Sequence, residues 1–397
     1  MLSFEMPRTL LLLTLLASAS TTPAQWTLQD THTTADLRGI DNVGNGVAWA
    51  SGSNGTVLRT EDAGFVWQLC AKPPNSEHLD FRAIQAFDNN TAIIMSSGKG
   101  DLSRLYKTTD GCQSWTLLFT NPDKDGFFDA LRFAPNKNLG GELLSKDRHG
   151  VLIGDPVNGK FRIFITKNSG ETWERWETQD AGPGKNCGRL DAGALDGESL
   201  FAASNGSLAV FDLDDFLFVT GGPSGSRLIS THTFTAPHSP CWLSFKYQGL
   251  PLGHRTASSG AFAIAVTREG PHSKLMIVGG DYSMPNEWSG SGVVAVQCDP
   301  NSDTNEGPFC LAWASSPHGY RSAVDYDART RTWITVGPNG TDFFTNGRSW
   351  RQLDPDLKFN DAPDADQHWN ALSLPYVVGP HGRIATLRPG AISPAHP

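Results

Sequence analysis

The sequence predicts an all-β chain, a seven-bladed β-propeller of four-stranded antiparallel blades whose ring is closed by pairing the N- and C-terminal strands. Three recurrences predict it: a turn that ends in tryptophan, a motif that starts a strand, and an apolar strand that ends in glycine. The last two occur seven times each. Composition agrees, with 41 Gly, 25 Pro, 12 Trp and 21 Phe but only 18% charged residues, and no long stretch keeps a 3.6-residue apolar period. A repeat this short cannot bury its own apolar face and must stack on copies of itself.

The first unit runs from Leu37 to Trp67. Apolar pieces around Leu37–Val43, Gly46–Ala50 and Thr56–Arg59 are separated by Gly/Asn turns. The unit closes on Thr60-Glu61-Asp62-Ala63-Gly64-Phe65-Val66-Trp67. In such a turn the Asp62 carboxylate bonds turn amides, Gly64 takes a positive φ, and Trp67 packs between neighbouring sheets. The turn recurs with Asp110 and Trp115, where Cys112 replaces the glycine, and again with Asn168, Gly170 and Trp173. A shortened copy carries Gly347 and Trp350. These residues are structural and carry no chemistry by themselves.

Strand starts fall at Arg38, Arg82, Asp129, Ser199, Phe262, Arg321 and Asn370, with successive spacings of 44, 47, 70, 63, 59 and 49 that allow for insertions in mid-chain. The central strands are Ala48–Gly52, Ile93–Gly98, Val151–Pro156, Phe218–Gly222, Met276–Asp281, Ile334–Gly337 and Tyr376–Gly379. The last unit, Asn370 to Thr386, offers three strands and no tryptophan turn, while Gln25–Gln29 is a strand with no unit before it. Pairing the two completes the seventh blade and removes exposed sheet edges.

Residues 1–24 read as a cleavable signal peptide: Arg8, an apolar run from Leu10 to Ala17 too short to span a bilayer, then Thr22-Pro23-Ala24. Residues 25–390 form one propeller and residues 391–397 a disordered tail. The mature chain is expected to be periplasmic or extracellular, monomeric, and not itself transmembrane. Six cysteines and no CxxC fit an oxidising compartment. Cys298 with Cys310 is the first disulfide candidate, and Cys70 with Cys112 and Cys187 with Cys241 would complete a set, among fifteen possible pairings.

A net charge of −9 argues against nucleic-acid binding, which needs a basic surface. The eleven histidines form no ligand motif, and no dinucleotide or P-loop signature occurs, so no cofactor and no metal are expected. In a propeller the first strands line the central channel, so Arg38, Arg82 and Arg321 should converge near the axis alongside Asp129, Ser199 and Asn370. Converging guanidiniums take a carboxylate, a phosphate or an acidic peptide terminus, or else pair with Asp129, Asp155 or Asp281. The turns after the central strands, including Tyr282, Met284-Pro285-Asn286 and Tyr320, belong to one rim of the disc.

The units LRGI…SGSNGTVLRTEDAGFVW and FRAI…LYKTTDGCQSW resemble the photosystem II assembly/stability factor family of propellers, within the wider Asp-box (BNR) superfamily that also holds sialidases. Segments such as Ile153-Gly154-Asp155-Pro156 and Gly279-Gly280-Asp281-Tyr282 resemble secreted bacterial members of that group. The resemblance implies a non-catalytic scaffold that docks a protein partner, of the envelope or membrane class, through an arginine patch. Arg38, Arg82 and Arg321 match that patch, with Tyr282, Tyr320 and Asn370 beside them, and the sequence departs from it at Asp129, Ser199, Phe262 and Asn370. The alternative is a glycoside hydrolase, in which Asp129, Asp155 and Asp281 are the carboxylates to test. The sialidase F/Y-R-I-P signature is absent at Phe81-Arg82-Ala83-Ile84.

Overall fold

A computed structural model describes residues 25–135, 147–176, 192–213, 215–233, 243–267, 274–297, 309–312, 316–345, 349–352 and 364–392. It contains seven four-stranded antiparallel sheets, and in six of them the strands follow chain order from the inside out. The inner strands are Leu37–Gly44, Phe81–Ala86, Phe128–Phe133, Leu208–Asp212, Ser259–Thr267, Ala323–Asp327 and Ala371–Ser373. Each touches the next, and the seventh touches the first. In blade 7 the outermost strand is Trp26–Gln29, with Trp26 opposite Leu387 and Gln29 opposite Ile384, so both ends of the chain close the ring.

Apolar side chains fill the spaces between blades. Trp49 and Val57 of blade 1 share a core with Phe81, Ile94, Tyr106 and Trp115 of blade 2. The tryptophans bridge blades: the Trp67 indole donates to Gln29 of blade 7 at 2.8 Å, and that of Trp115 to the Ala71 carbonyl at 2.9 Å. Each buried ring removes roughly 200 Å² from water, worth about 5 kcal/mol before entropy is charged against it. Ile392, expected in the tail, is buried in the core that holds Trp26 and Trp369.

Three of the tryptophan turns share one hydrogen-bond pattern. Thr60 Oγ1 donates to Asp62 and accepts from the Gly64 amide, and Asp62 accepts from the Val66 amide. Thr108, Asp110 and Ser114 repeat this, as do Thr166, Asn168 and Thr172. Bonds from Ser114 and Thr108 hold Asp110 down at about 2. Gly64 and Gly170 have φ of 88° and 86°, and Cys112 takes their place at 66° while its sulfur bonds Cys70. Cys310 is also disulfide-bonded, whereas Cys187, Cys241, Cys298 and Gly347 lie outside the described residues. Trp350 is buried against Phe344.

In five blades a glycine at the end of the central strand has a steric reason. A Cβ on Gly52 would lie 2.3 Å from the Asp36 carbonyl oxygen. On Gly154, Gly279, Gly337 and Gly379 it would meet the carbonyls of Phe127, Gly260, Tyr320 and His368 at 2.1, 2.0, 2.2 and 2.0 Å. These contacts align the blades. The residue after each carbonyl is a core residue: Leu37, Phe128, Ala261, Arg321 and Trp369, all fully buried. The residue after that is Arg38, Asp129, Phe262, Ser322 and Asn370. Arg38, Arg82, Asp129 and Phe262 are each the extra residue of a β-bulge.

Two expectations are corrected here. Arg321 is one residue out of step, since Ser322 is the equivalent of Arg38, and a one-residue shift turns a strand's side chain to the other face. The fourth inner strand does not run on from Ser199. Ser199 bridges Gly221, but the chain then leaves the sheet and rejoins it at Leu208.

Candidate functional site

The starts of the inner strands and the turns after the second strands share one face, because each inner strand begins opposite the end of its neighbour. That face carries most of the residues singled out from sequence.

Its centre is occupied by the excursion of blade 4, residues 200–207. Phe201 stacks on Phe262 of blade 5, with centroids 3.9 Å apart. The Ala202 carbonyl accepts from Arg82 of blade 2 at 3.4 Å, and Ser204 Oγ donates to the Ser322 carbonyl of blade 6 at 3.0 Å. Asn205 accepts from the Leu131 amide and from Arg132 Nε of blade 3 at 2.8 and 3.1 Å. One short segment thus bonds blades 2, 3 and 6 and stacks on blade 5, making a plug across the axis. Only the wide spacings around Ser199 hinted at it.

Arg38 and Arg82 are brought together. Their side chains are 31% and 29% exposed, and both reach the same carboxylate oxygen of Asp80, Arg82 Nε at 2.8 Å and Arg38 Nε at 3.7 Å. Asp80 precedes a strand start and was not singled out from sequence. Asn370 donates to the Leu37 carbonyl at 2.8 Å and so braces the strand start of Arg38. Tyr320 is buried, and burial pushes its hydroxyl pKa upward against the nearby charge of Arg38. Its ring meets Phe262 at 4.7 Å, and Tyr282, which is exposed, meets Tyr320 at 6.5 Å and Phe201 at 6.4 Å.

Arg321 does not join them. It is fully buried, donates from Nε to Asp342 at 2.8 Å and from Nη1 to the Tyr320 carbonyl at 2.9 Å, and also bonds Asn339. Burial pulls its pKa below the usual value, while Asp342 acts in the opposite direction. Blade 4 uses the mirror image, with Glu198 at the buried position and Arg227 on the third strand, Nε to carboxylate 2.8 Å.

The three candidate carboxylates separate into a pair and a lone member. Asp129 is buried, and among the described residues its Oδ2 has no hydrogen-bond partner. Burial, then the charge of Asp155, push its pKa well above the usual value, opposed by Arg82. Asp155 is pushed up to about 6 by burial and accepts from the Leu200 amide of the plug at 3.1 Å. Asp281 differs. Burial would raise it, but bonds from Ser283, Ser258 and Thr256 outweigh that and hold it at about 2. Its carboxylate accepts from Ser283 N and Oγ at 2.9 and 2.6 Å and from Thr256 at 2.8 Å, the pattern of a turn clamp. Among the described residues no three His, Cys, Asp or Glu side chains are placed to hold a metal.

No protein-family model and no curated protein matches the sequence. The likeness is in the fold. The chain is similar to YCF48 bound to D1 peptide, at 16% identity and a TM-score of 0.52, over 94% of this chain and 100% of that one. It is similar to YCF48 from Cyanidioschyzon merolae at 15% identity and a TM-score of 0.53, over 93% and 100%. The extracellular domain of a hybrid two-component system from B. thetaiotaomicron matches at 11% identity and a TM-score of 0.50, over 91% of this chain and 40% of that one. Among the described residues no helix is long and apolar enough to cross a membrane.

Proposed function

We propose that this chain is a docking scaffold that holds an anionic segment of a protein partner at the plugged mouth of the propeller. One observation carries the reading: two partly exposed guanidiniums, Arg38 and Arg82, converge on one carboxylate oxygen of Asp80 at the mouth of a chain of net charge −9. A guanidinium fork suits a carboxylate, and this pair is held in place by Asp80 and by the plug. YCF48, a propeller of the same fold, is bound to D1 peptide in one of the similar structures, which supports a peptide segment as the occupant. Tyr282 and Tyr320 border the arginines, and Asn370 fixes the backbone beneath Arg38. Export of the mature chain after Ala24 fits the Cys70–Cys112 disulfide.

The test is capture of partner proteins from an envelope fraction by wild type and by Arg38→Ala/Arg82→Ala. A protein retained only by wild type supports the reading, and identical captures refute it. A glycosidase reading rests on the Asp129–Asp155 pair, two acids whose environments raise both pKa values. It requires Asp129, 1% exposed, to reach a sugar, and glycan hydrolysis lost in Asp155→Asn would establish it.

A further inference from the structure

The turn between the second and third strands is longest in blade 5, from residue 282 to 291. It raises three large apolar side chains on the face of the arginine pair: Tyr282, Met284 and Trp288, exposed by 54%, 45% and 62%. The segment is held in place. Asp281 accepts from Ser283, the Met284 amide bonds the Asp281 carbonyl at 3.0 Å, and the Pro285 carbonyl accepts from the Tyr320 amide and Asn339 Nδ2, each at 3.0 Å. Exposed Trp, Tyr and Met on a rigid support are the composition of a binding hot spot, because little side-chain or loop entropy is lost on contact. Continuity fixes the occupant: Tyr282 touches Phe201 and Tyr320, and Tyr320 lies within the field of Arg38, so the apolar crest runs into the arginine pair.

We infer that this crest is the second half of the docking face and receives an aromatic side chain from the same segment whose acidic group the arginines hold. The inference rests on the docking function proposed above and adds the partner's chemistry, an aromatic residue close to an acidic one in an extended chain.

The test uses the purified chain and two N-acetylated hexapeptides, Gly-Phe-Gly-Asp-Gly-Glu and its counterpart with Ser for Phe, titrated by calorimetry. Burying one aromatic ring should make the Phe peptide bind wild type roughly tenfold tighter. In Met284→Ser/Trp288→Ser that preference should vanish while the Ser peptide binds as before; both side chains are exposed, and an unchanged Tm confirms folding. In Arg38→Ala/Arg82→Ala both peptides should weaken together and the preference persist. Equal binding of the two peptides to wild type, or a Phe preference that survives loss of Met284 and Trp288, overturns the crest. A Phe preference with affinities indifferent to the arginines refutes the arginine reading and leaves the crest standing. Failure of wild type to bind either peptide overturns both.

Discussion

Arg38 and Arg82 in blades 1 and 2, and Arg321 in blade 6, start from the same sequence motif and end in opposite environments. The first two are bulge residues, partly exposed at the mouth, where they share Asp80. Arg321 sits one position earlier, where the other blades place Leu37, Phe81, Phe128 and Trp369, and it is fully buried against Asp342. A guanidinium in an apolar position persists only because the third strand supplies a carboxylate and Asn339 and the Tyr320 carbonyl take further protons. Blade 4 reaches the same arrangement with charges exchanged, Glu198 inside and Arg227 outside. The bulge therefore decides whether an arginine serves the surface or the core.

The comparison breaks most sharply at Arg321. Arg321→Ala should cost about 3–5 kcal/mol, because buried Asp342 loses its guanidinium and is left to His318. Arg321→Met with Asp342→Leu should recover much of that, as thermal or urea unfolding would show; a loss below about 1 kcal/mol for Arg321→Ala would refute the buried pair.

Next comes Asp155, the half-buried acid under the mouth. Folded, it holds its proton up to about pH 6, against 3.8 as the ordinary value. Its proton-linked stability is present below about pH 4 and lost as the pH rises through about 6. Asp155→Asn keeps an acceptor for the Leu200 amide, so it should stabilise the protein at pH 8 by up to roughly 3 kcal/mol and have little effect at pH 3. Melts at the two pH values decide it, and equal effects at both would remove the proton linkage.

A smaller effect is expected at the arginine pair. Arg38→Ala and Arg82→Ala should each change stability by less than about 1 kcal/mol, since partly exposed ion pairs contribute little. The same variants should lose partner capture. A drop in Tm as large as that of Arg321→Ala would show that they are architectural.

The smallest change tests the turns. Ser114 and Thr172 add a side-chain bond to Asp110 and Asn168, at 2.6 and 2.9 Å, and Val66 has no hydroxyl with which to do so for Asp62. Val66→Thr should gain about 0.5–1 kcal/mol, read from the unfolding midpoint.

Much of the mouth was legible in the sequence, because each bulge residue follows the buried apolar residue that opens a recurring strand motif. Arg38, Arg82, Asp129 and Phe262 were located in this way. Arg321 was misplaced because Tyr320-Arg321-Ser322 matches the motif as text but meets Gly337 one residue out of step. Asp80 repeats Asp36 one residue before the strand motif and was passed over, while Trp288 stands outside the motifs and carries no repeat signal. The plug was hidden for a similar reason: residues 200–207 belong to no strand and gain their partners from four other blades.

By itself the sequence determined the repeat, the number of blades, the tryptophan turns and the closure of the ring by the two ends of the chain. The repeats rest on local chemistry, a threonine or aspartate bonding amides within five residues or a glycine passing a carbonyl, and closure follows from counting a last unit one strand short against a first strand with no unit. Tertiary structure alone decided which arginine reaches solvent, how the channel is plugged, which carboxylates share a buried site and where the apolar crest meets the basic pair. Those outcomes depend on register across a bulge and on contacts between blades far apart in the chain, and no local pattern encodes such distances.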